Sequence, residues 1–220
     1  MPSQYSKVKL KNKLERNKKV LTIDRDYLKK FDLKEGINEL SQFSFKEIIK
    51  HGKFIPFGDY LKRPQKVEIL PYPIITNFEK KIISLFEFPV KENGEKNLGL
   101  SFKKHITNTN KLNFTKIDLF KYELQRHLAE TLIILPEVYK NNSIKYEGII
   151  RTFNSVNDLY KLGILFTFQT KNKHCSDTFI YKRNNEDNIN LKFVKLEYLT
   201  NNYSQLENWA KVSLDNIFLE

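Results

Sequence analysis

At 220 residues, with 40% hydrophobic and 13% aromatic side chains, the chain has ample material for a core, and disorder along its whole length is excluded. No apolar run reaches the eighteen or so residues of a membrane helix, the amino terminus lacks the apolar stretch of a signal peptide, and a lone cysteine, Cys175, leaves no internal disulfide; a cytoplasmic protein is expected. The net charge of +12 divides unevenly: residues 1–20 hold seven Lys/Arg against one Glu, giving +6, and the remaining residues hold 31 basic against 25 acidic side chains, giving another +6. Lys outnumbers Arg 32 to 6, so the residue best suited to bidentate phosphate and guanine contacts is the scarce one, and the charge is weak evidence for nucleic acid.

In chain order, residues 1–20 read as a basic arm and 21–220 as one composite domain with a sub-boundary near 107–114, since no Ser/Gly/Pro linker separates its halves. Within the arm Lys7, Lys9, Lys11 and Lys13 alternate with Val8, Leu10 and Asn12, and Arg16, Lys18 and Lys19 extend the charge; the period-two pattern predicts a strand added to a partner's sheet edge. Phe45–His51 predicts a short helix closed by Gly52, and Lys66–Leu70 a strand broken by Pro71-Tyr72-Pro73. Asn77 is a candidate cap for a second helix carrying Phe78, Ile82, Ile83, Leu85 and Phe86. Asn93-Gly94 marks a hairpin between FEFPVKE and KNLGLSF, with Pro89 placing the first strand at a sheet edge.

The longest helical pattern is Thr115–Pro136, where Ile117, Phe120, Leu124, Leu128, Leu132 and Leu135 lay one apolar stripe along about 30 Å of helix. Thr115 with Asp118 opens it and Pro136 stops it. Strands are then expected at Ser143–Phe153, with a bulge at Gly148, at 158–171 on the alternation of Tyr160, Leu162, Ile164, Phe166 and Phe168, at Asp177–Lys182 and at Ile189–Tyr198. A last helix opens at a Ser204/Glu207 capping box and carries Leu206, Ala210, Leu214 and Ile217. The expected fold is α+β: a long amphipathic helix packed on an antiparallel four-strand meander with one wet face, beside a smaller mixed N-terminal half.

No chemistry declares itself. His51, His105, His127 and His174 are isolated in sequence and there is no Cys pair, so neither a metal nor a cofactor site is expected. Glu123, one turn before His127, can partner it at the helix edge, and Cys175 diverges from His174 on a strand. Seven glycines form no phosphate cradle. Asp158 with Gln169-Thr170-Lys171 imitates the acid and acid-x-Lys of a restriction-type nuclease, but on one strand Asp158 and Gln169 stand about 36 Å apart. Phe179, Tyr181 and Arg183 share one strand face, and Phe193 and Lys195 another, as a nucleic-acid surface would; at this aromatic content a core role for the rings is favoured.

A helix ending at Leu135-Pro136-Glu137-Val138, followed by the hairpin-like pair Ser143–Gln169, resembles the baseplate wedge proteins of contractile phage tails and type VI secretion machines, although Pro and Glu are reversed and their Arg is missing. The resemblance covers about 60 residues and implies a non-enzymatic structural or adaptor subunit of a multiprotein assembly, with other protein subunits as partners, no catalytic residues and no small-molecule ligand. The alternatives are a nucleic-acid-binding protein using the arm and strand faces, and a metal-dependent nuclease. In the subunit reading the partner-binding residues are Lys7, Lys9, Lys11, Lys13, Arg16, Lys18 and Lys19.

Overall fold

The structure, a computed structural model, describes residues 17–39, 41–77, 79–89, 97–107, 115–134, 143–170, 179–181 and 189–219. The strands are β1 (Lys19–Asp24), β2 (Gly36–Asn38), β3 (Lys53–Pro56), β4 (Lys66–Asn77), β5 (Ile82–Phe88), β6 (Asn97–Gly99), β7 (Leu132–Ile134), β8 (Ser143–Arg151), β9 (Lys161–Thr170), β10 (Phe179–Tyr181) and β11 (Asn190–Lys195). The helices are α1 (Arg25–Leu28), α2 (Gln42–His51), α3 (Phe57–Tyr60), α4 (Lys116–Thr131), α5 (Val156–Leu159), α6 (Leu196–Asn201) and α7 (Asn208–Ser213), the last continuing as a π-turn through Phe218.

Nine strands form one mixed sheet in the order β11-β5-β4-β9-β8-β2, with β1 joining β3 to β4 and β6 beside β5. Its centre is a parallel pair: β4 and β9 run together from Glu68 opposite Lys161 to Asn77 opposite Thr170. Both strands are apolar on both faces. Val67, Ile69, Ile75, Leu162, Ile164, Phe166 and Phe168 share a core with α2 and α4, whereas Leu70, Tyr72, Ile74 and Leu165 share a second core with α6, α7 and the π-turn. The sheet is therefore covered on both sides, and the coarse α+β expectation stands.

The meander does not. β8 and β9 pair antiparallel, with the register shift at Gly148 (φ 153°) that the blurred alternation predicts, but β10 pairs with β7 in a separate ribbon and β11 pairs with β5. Nor is one face of β9 wet: Leu162 through Phe168 are all buried, because α7 covers the side away from α4. Alternating apolar and small or polar residues had the look of a half-exposed strand; Gly163 and Thr167 are buried all the same.

Three further expectations are corrected. Of the segment expected as a second helix, Ile82–Phe88 is strand β5, with Ile83 and Leu85 on one face and Phe86 on the other; a short run apolar on both faces is compatible with a buried strand as well as a helix. It lies inside the sheet rather than at an edge, and Pro89 follows it. β5 and β6 do form the expected hairpin pair, Phe86 opposite Gly99 to Phe88 opposite Asn97, while Asn93-Gly94 lies outside the described residues. Pro71 and Pro73 do not end β4. The Ile75 amide donates to Ser84 Oγ (3.1 Å), on the edge away from β9, and alternation aims the nitrogens of Pro71 and Pro73 the same way. That edge has no ladder between the β1 pairing at 66–68 and the single β5 pairing at Thr76, so the missing donors remove no strand bond.

Helix α4 buries Phe120, Leu124 and Leu128 as its stripe predicts, but it stops at Thr131 and hands the chain to β7, not to Pro136, which lies outside the described residues. The opening at Thr115 holds: its Oγ1 accepts from the Asp118 amide (3.2 Å). The C-terminal capping box does not form, because the Glu207 side chain is taken by Tyr72 and Lys103. Of the arm, Lys7, Lys9, Lys11, Lys13 and Arg16 lie outside the described residues; Lys18 and Lys19 enter the fold, the Lys18 carbonyl accepting from the Phe57 amide (2.8 Å) and Lys19 opposite Pro56.

Two consequences are testable. A Cβ at Gly163 would lie 2.8 Å from Cζ3 of the fully buried Trp209, so Gly163→Ala should cost about 1–3 kcal/mol in chemical denaturation followed by circular dichroism. Fully buried Glu123 receives Arg126 Nη2 (2.7 Å) and Thr107 Oγ1 (3.1 Å), tying α4 to the segment before it. Burial pushes the Glu123 carboxyl up, but the Arg126 hydrogen bond and charge hold it below its ordinary 4.5. A carboxyl depressed on folding stabilises fully above the unfolded value and loses that contribution as pH falls through the folded one. Arg126→Met should therefore lower stability by about 1–3 kcal/mol at neutral pH, the gap from the parent narrowing below pH 4.5 in paired melting curves.

Candidate functional site

At the starting ends of β4 and β9 the sheet opens into a cavity of about 520 Å³ between α3, the turn at 61–64 and the segment 103–105. Its floor is Glu68, which β4 places opposite Lys161 and beside Thr22 of β1. Glu68 is fully buried; its Oε1 meets His105 Nδ1, and its Oε2 has no hydrogen-bond partner among the described residues. A carboxylate in such a place is costly unless its oxygens are satisfied, and Glu68, which lines the cavity, keeps one buried oxygen unpartnered among the described residues. Because Nδ1 of His105 is engaged by Glu68, Nε2 is the ring nitrogen left for the cavity; the Phe57 ring packs 4.9 Å away.

The walls are ordered by backbone contacts. Tyr60 Oη donates to the Tyr160 carbonyl (2.7 Å), which also accepts the Glu68 amide (2.8 Å), so one carbonyl fixes α3, β4 and the entrance to β9. Burial, and then the Glu68 charge, push the Tyr60 hydroxyl well up, so it remains a donor across the physiological range. Around the mouth stand Lys62, Arg63, Lys103 and Lys161. Lys62, Arg63 and Lys161 make no ion pair among the described residues. Lys103 Nζ is held by Glu207 Oε2 (2.6 Å) above the Trp209 ring (4.2 Å), and Glu207 Oε1 accepts from Tyr72 Oη (2.8 Å). Burial, followed by the Glu207 charge, pushes Tyr72 upward too, so that hydroxyl also stays a donor. The result is a deep carboxylate–imidazole couple beneath a ring of cations and aromatic rings.

None of these residues was selected by sequence motif, and His105 is 37 positions from its partner. The one available signal was a lone Glu in the apolar run Val67-Glu68-Ile69-Leu70, since carboxylates rarely enter buried strands without a task. The other candidates go elsewhere. His127 is buried beside Glu123 (3.6 Å), as the helix spacing predicts, and His51 stacks on Tyr27. Asp158 sits on α5 under a Ser155 cap, not on β9, and accepts from Asn208 Nδ2 (3.0 Å); Gln169 lies at the far end of β9, and Lys171 is outside the described residues. The nuclease arrangement does not assemble. Phe193 packs against the core, while His174, Cys175 and Arg183 lie outside the described residues and the side chains of Phe179 and Tyr181 are not described. Among the described residues no three His, Cys, Asp or Glu side chains gather as a metal site, and no helix is long and apolar enough to cross a membrane.

Neither a protein-family model nor a curated protein matches the chain. Among solved structures it is similar to Tm1382, described as a candidate Nudix hydrolase, at 18% identity with a TM-score of 0.71 over 90% of this chain and 96% of that one. The E. coli dihydroneopterin triphosphate pyrophosphohydrolase matches at 11% identity with a TM-score of 0.32 over 71% of this chain and 96% of that one, too distant to carry an argument. The likeness to baseplate wedge proteins is overturned, and with it the non-enzymatic subunit: a helix, a corner and a hairpin recur in many folds, whereas the match to Tm1382 spans nine-tenths of the chain. The chain has the fold of Tm1382.

Proposed function

We propose that the protein is a hydrolase acting on a phosphate-bearing substrate in the cavity floored by Glu68 and His105. The observation that carries this reading is a fully buried carboxylate whose one oxygen holds an imidazole and whose other oxygen is bare, beneath four cations. The fold shared with a candidate Nudix hydrolase supports the reaction class. In this mechanism Lys62, Arg63, Lys103 and Lys161 neutralise the phosphoryl oxygens, and Phe57 and Tyr160 flank the non-phosphate part. Water attacks phosphorus as His105 Nε2 takes its proton; the phosphorus–oxygen bond to the leaving group breaks, and that oxygen is protonated from solvent. Glu68 keeps the ring in the required tautomer and stabilises the imidazolium that forms. Glu207 and Tyr72 hold Lys103 at its station.

The test is a phosphate-release screen over phosphomonoesters, phosphodiesters and diphosphate-linked compounds, followed by variants on whichever substrate turns over. His105→Gln and Glu68→Gln should each lower kcat by about 10²–10⁴-fold with circular dichroism unchanged. A parent inert across the screen, or variants as active as the parent, would overturn the assignment.

A further inference from the structure

A second cavity, of about 330 Å³, opens between α2, α4 and the antiparallel pair β8–β9, and it shares no lining residue with the first. Phe166, in its wall, lies five residues along β9 from Lys161, about 17 Å at about 3.3 Å per residue. That wall is aromatic. Tyr146 of β8 stands opposite Phe166, and Phe45 of α2 stacks on Tyr146 with centroids 5.2 Å and planes 28° apart. Phe166 meets both rings edge-on, 6.0 Å from Tyr146 and 6.1 Å from Phe45. Ile144, two residues before Tyr146 on β8, also lines the cavity and is 38% exposed.

Two observations set what this cavity can take. The first is that the Tyr146 hydroxyl is buried and has no hydrogen-bond partner among the described residues. An unpartnered buried donor costs stability that Phe, with the same ring, would not. Burial pushes that hydroxyl well up, so it stays protonated and able to donate. The second is charge. On α2 the residue after Phe45 is Lys46, and on α4 the residue after Phe120 is Lys121; both lysines are exposed and line the cavity. Neither makes an ion pair or a hydrogen bond among the described residues, and no carboxylate lines the cavity. The acids close to them in the chain are engaged elsewhere: Glu47 with His51 (3.6 Å), Asp118 with Thr115, and Glu147 with Lys145 (2.7 Å). Stacked and edge-on rings favour a flat apolar group, and two cations without an acid favour a negative charge. The volume lies at the low end of the roughly 300–1,000 Å³ of ligand pockets, which suits one or two fused rings.

We propose that this cavity binds a small aromatic carboxylate, its ring against Phe45, Tyr146 and Phe166, one carboxylate oxygen accepting from the Tyr146 hydroxyl, and its charge met by Lys46 and Lys121. The site stands independently of the hydrolase reading, and its probe, 2-naphthoate, carries no phosphoryl group. Titrated into the full chain and followed by isothermal calorimetry, 2-naphthoate should bind saturably, one per chain. 2-Naphthamide, which lacks the charge, and cyclohexanecarboxylate, which lacks the aromatic ring, should each bind about threefold to tenfold more weakly. Tyr146→Phe should weaken 2-naphthoate binding by about threefold to tenfold while melting, without ligand, no lower than the parent, because it removes a donor that the chain leaves unpaired. The double variant Lys46→Met, Lys121→Met should weaken binding by a similar factor, and it serves where the Phe variant does not fold. Lys50→Met, one turn further along α2 and outside the cavity, should bind as the parent does. The site is overturned by a parent without saturable binding, by a Tyr146→Phe variant that binds like the parent or melts below it, or by a Lys50→Met variant that loses as much affinity as the double variant, since surface charge alone would then account for the binding.

Discussion

The parallel seam between β4 and β9 is the constraint from which the rest follows. Parallel strands cannot be joined by a tight turn, and the chain between these two runs through β5, β6, α4, β7 and β8 before it returns. A seam covered on both faces by helices must be apolar on both faces, which is why β4 reads as a nearly continuous hydrophobic run and tolerates Pro71 and Pro73 only along the edge that makes no ladder. It also accounts for Gly163: with α7 pressed onto that face, Trp209 leaves no room for a side chain.

The cavity is a consequence of where the seam begins. Along its interior the two strands are closed to water; at the starting end, Glu68 and Lys161 are the first facing pair, and there the chain trades apolar packing for charge. A carboxylate so placed is poorly solvated, and what it lacks from water it draws from the imidazole of His105 and from the field of the surrounding cations. The C-terminal segment takes part through Glu207, whose two oxygens bind Tyr72 of β4 and Lys103. A residue that in sequence resembles a helix cap is thereby a brace between sheet and cavity.

What was legible in the sequence was local. The stripe of Phe120, Leu124 and Leu128, the helix closed by Gly52, the bulge at Gly148 and the pairing of β5 with β6 all rest on interactions spanning a few residues or one turn, which periodicity and turn chemistry report directly. What was not legible depended on long-range pairing. The Ile82–Phe88 segment is a strand because β11 and β4 flank it, and nothing in the run IISLFEF announces those neighbours. The site was hidden for the same reason: Glu68 and His105 meet only because β4 and the 102–107 segment are brought together by the sheet. Motif spacing finds chemistry carried on one element, and this cavity draws on several separate stretches of chain.

Trp209, the only tryptophan in the chain, is fully buried beside the cavity wall. Its ring lies under Lys103, and its Nε1 donates to Thr152 Oγ1 (3.2 Å), one residue from Arg151. An indole's emission responds to the charge above its face and to the polarity at its nitrogen. The molecule thus carries a single native optical probe against the cavity wall, one that registers a withdrawn Lys103 ammonium or a shifted Thr152 hydroxyl without any label.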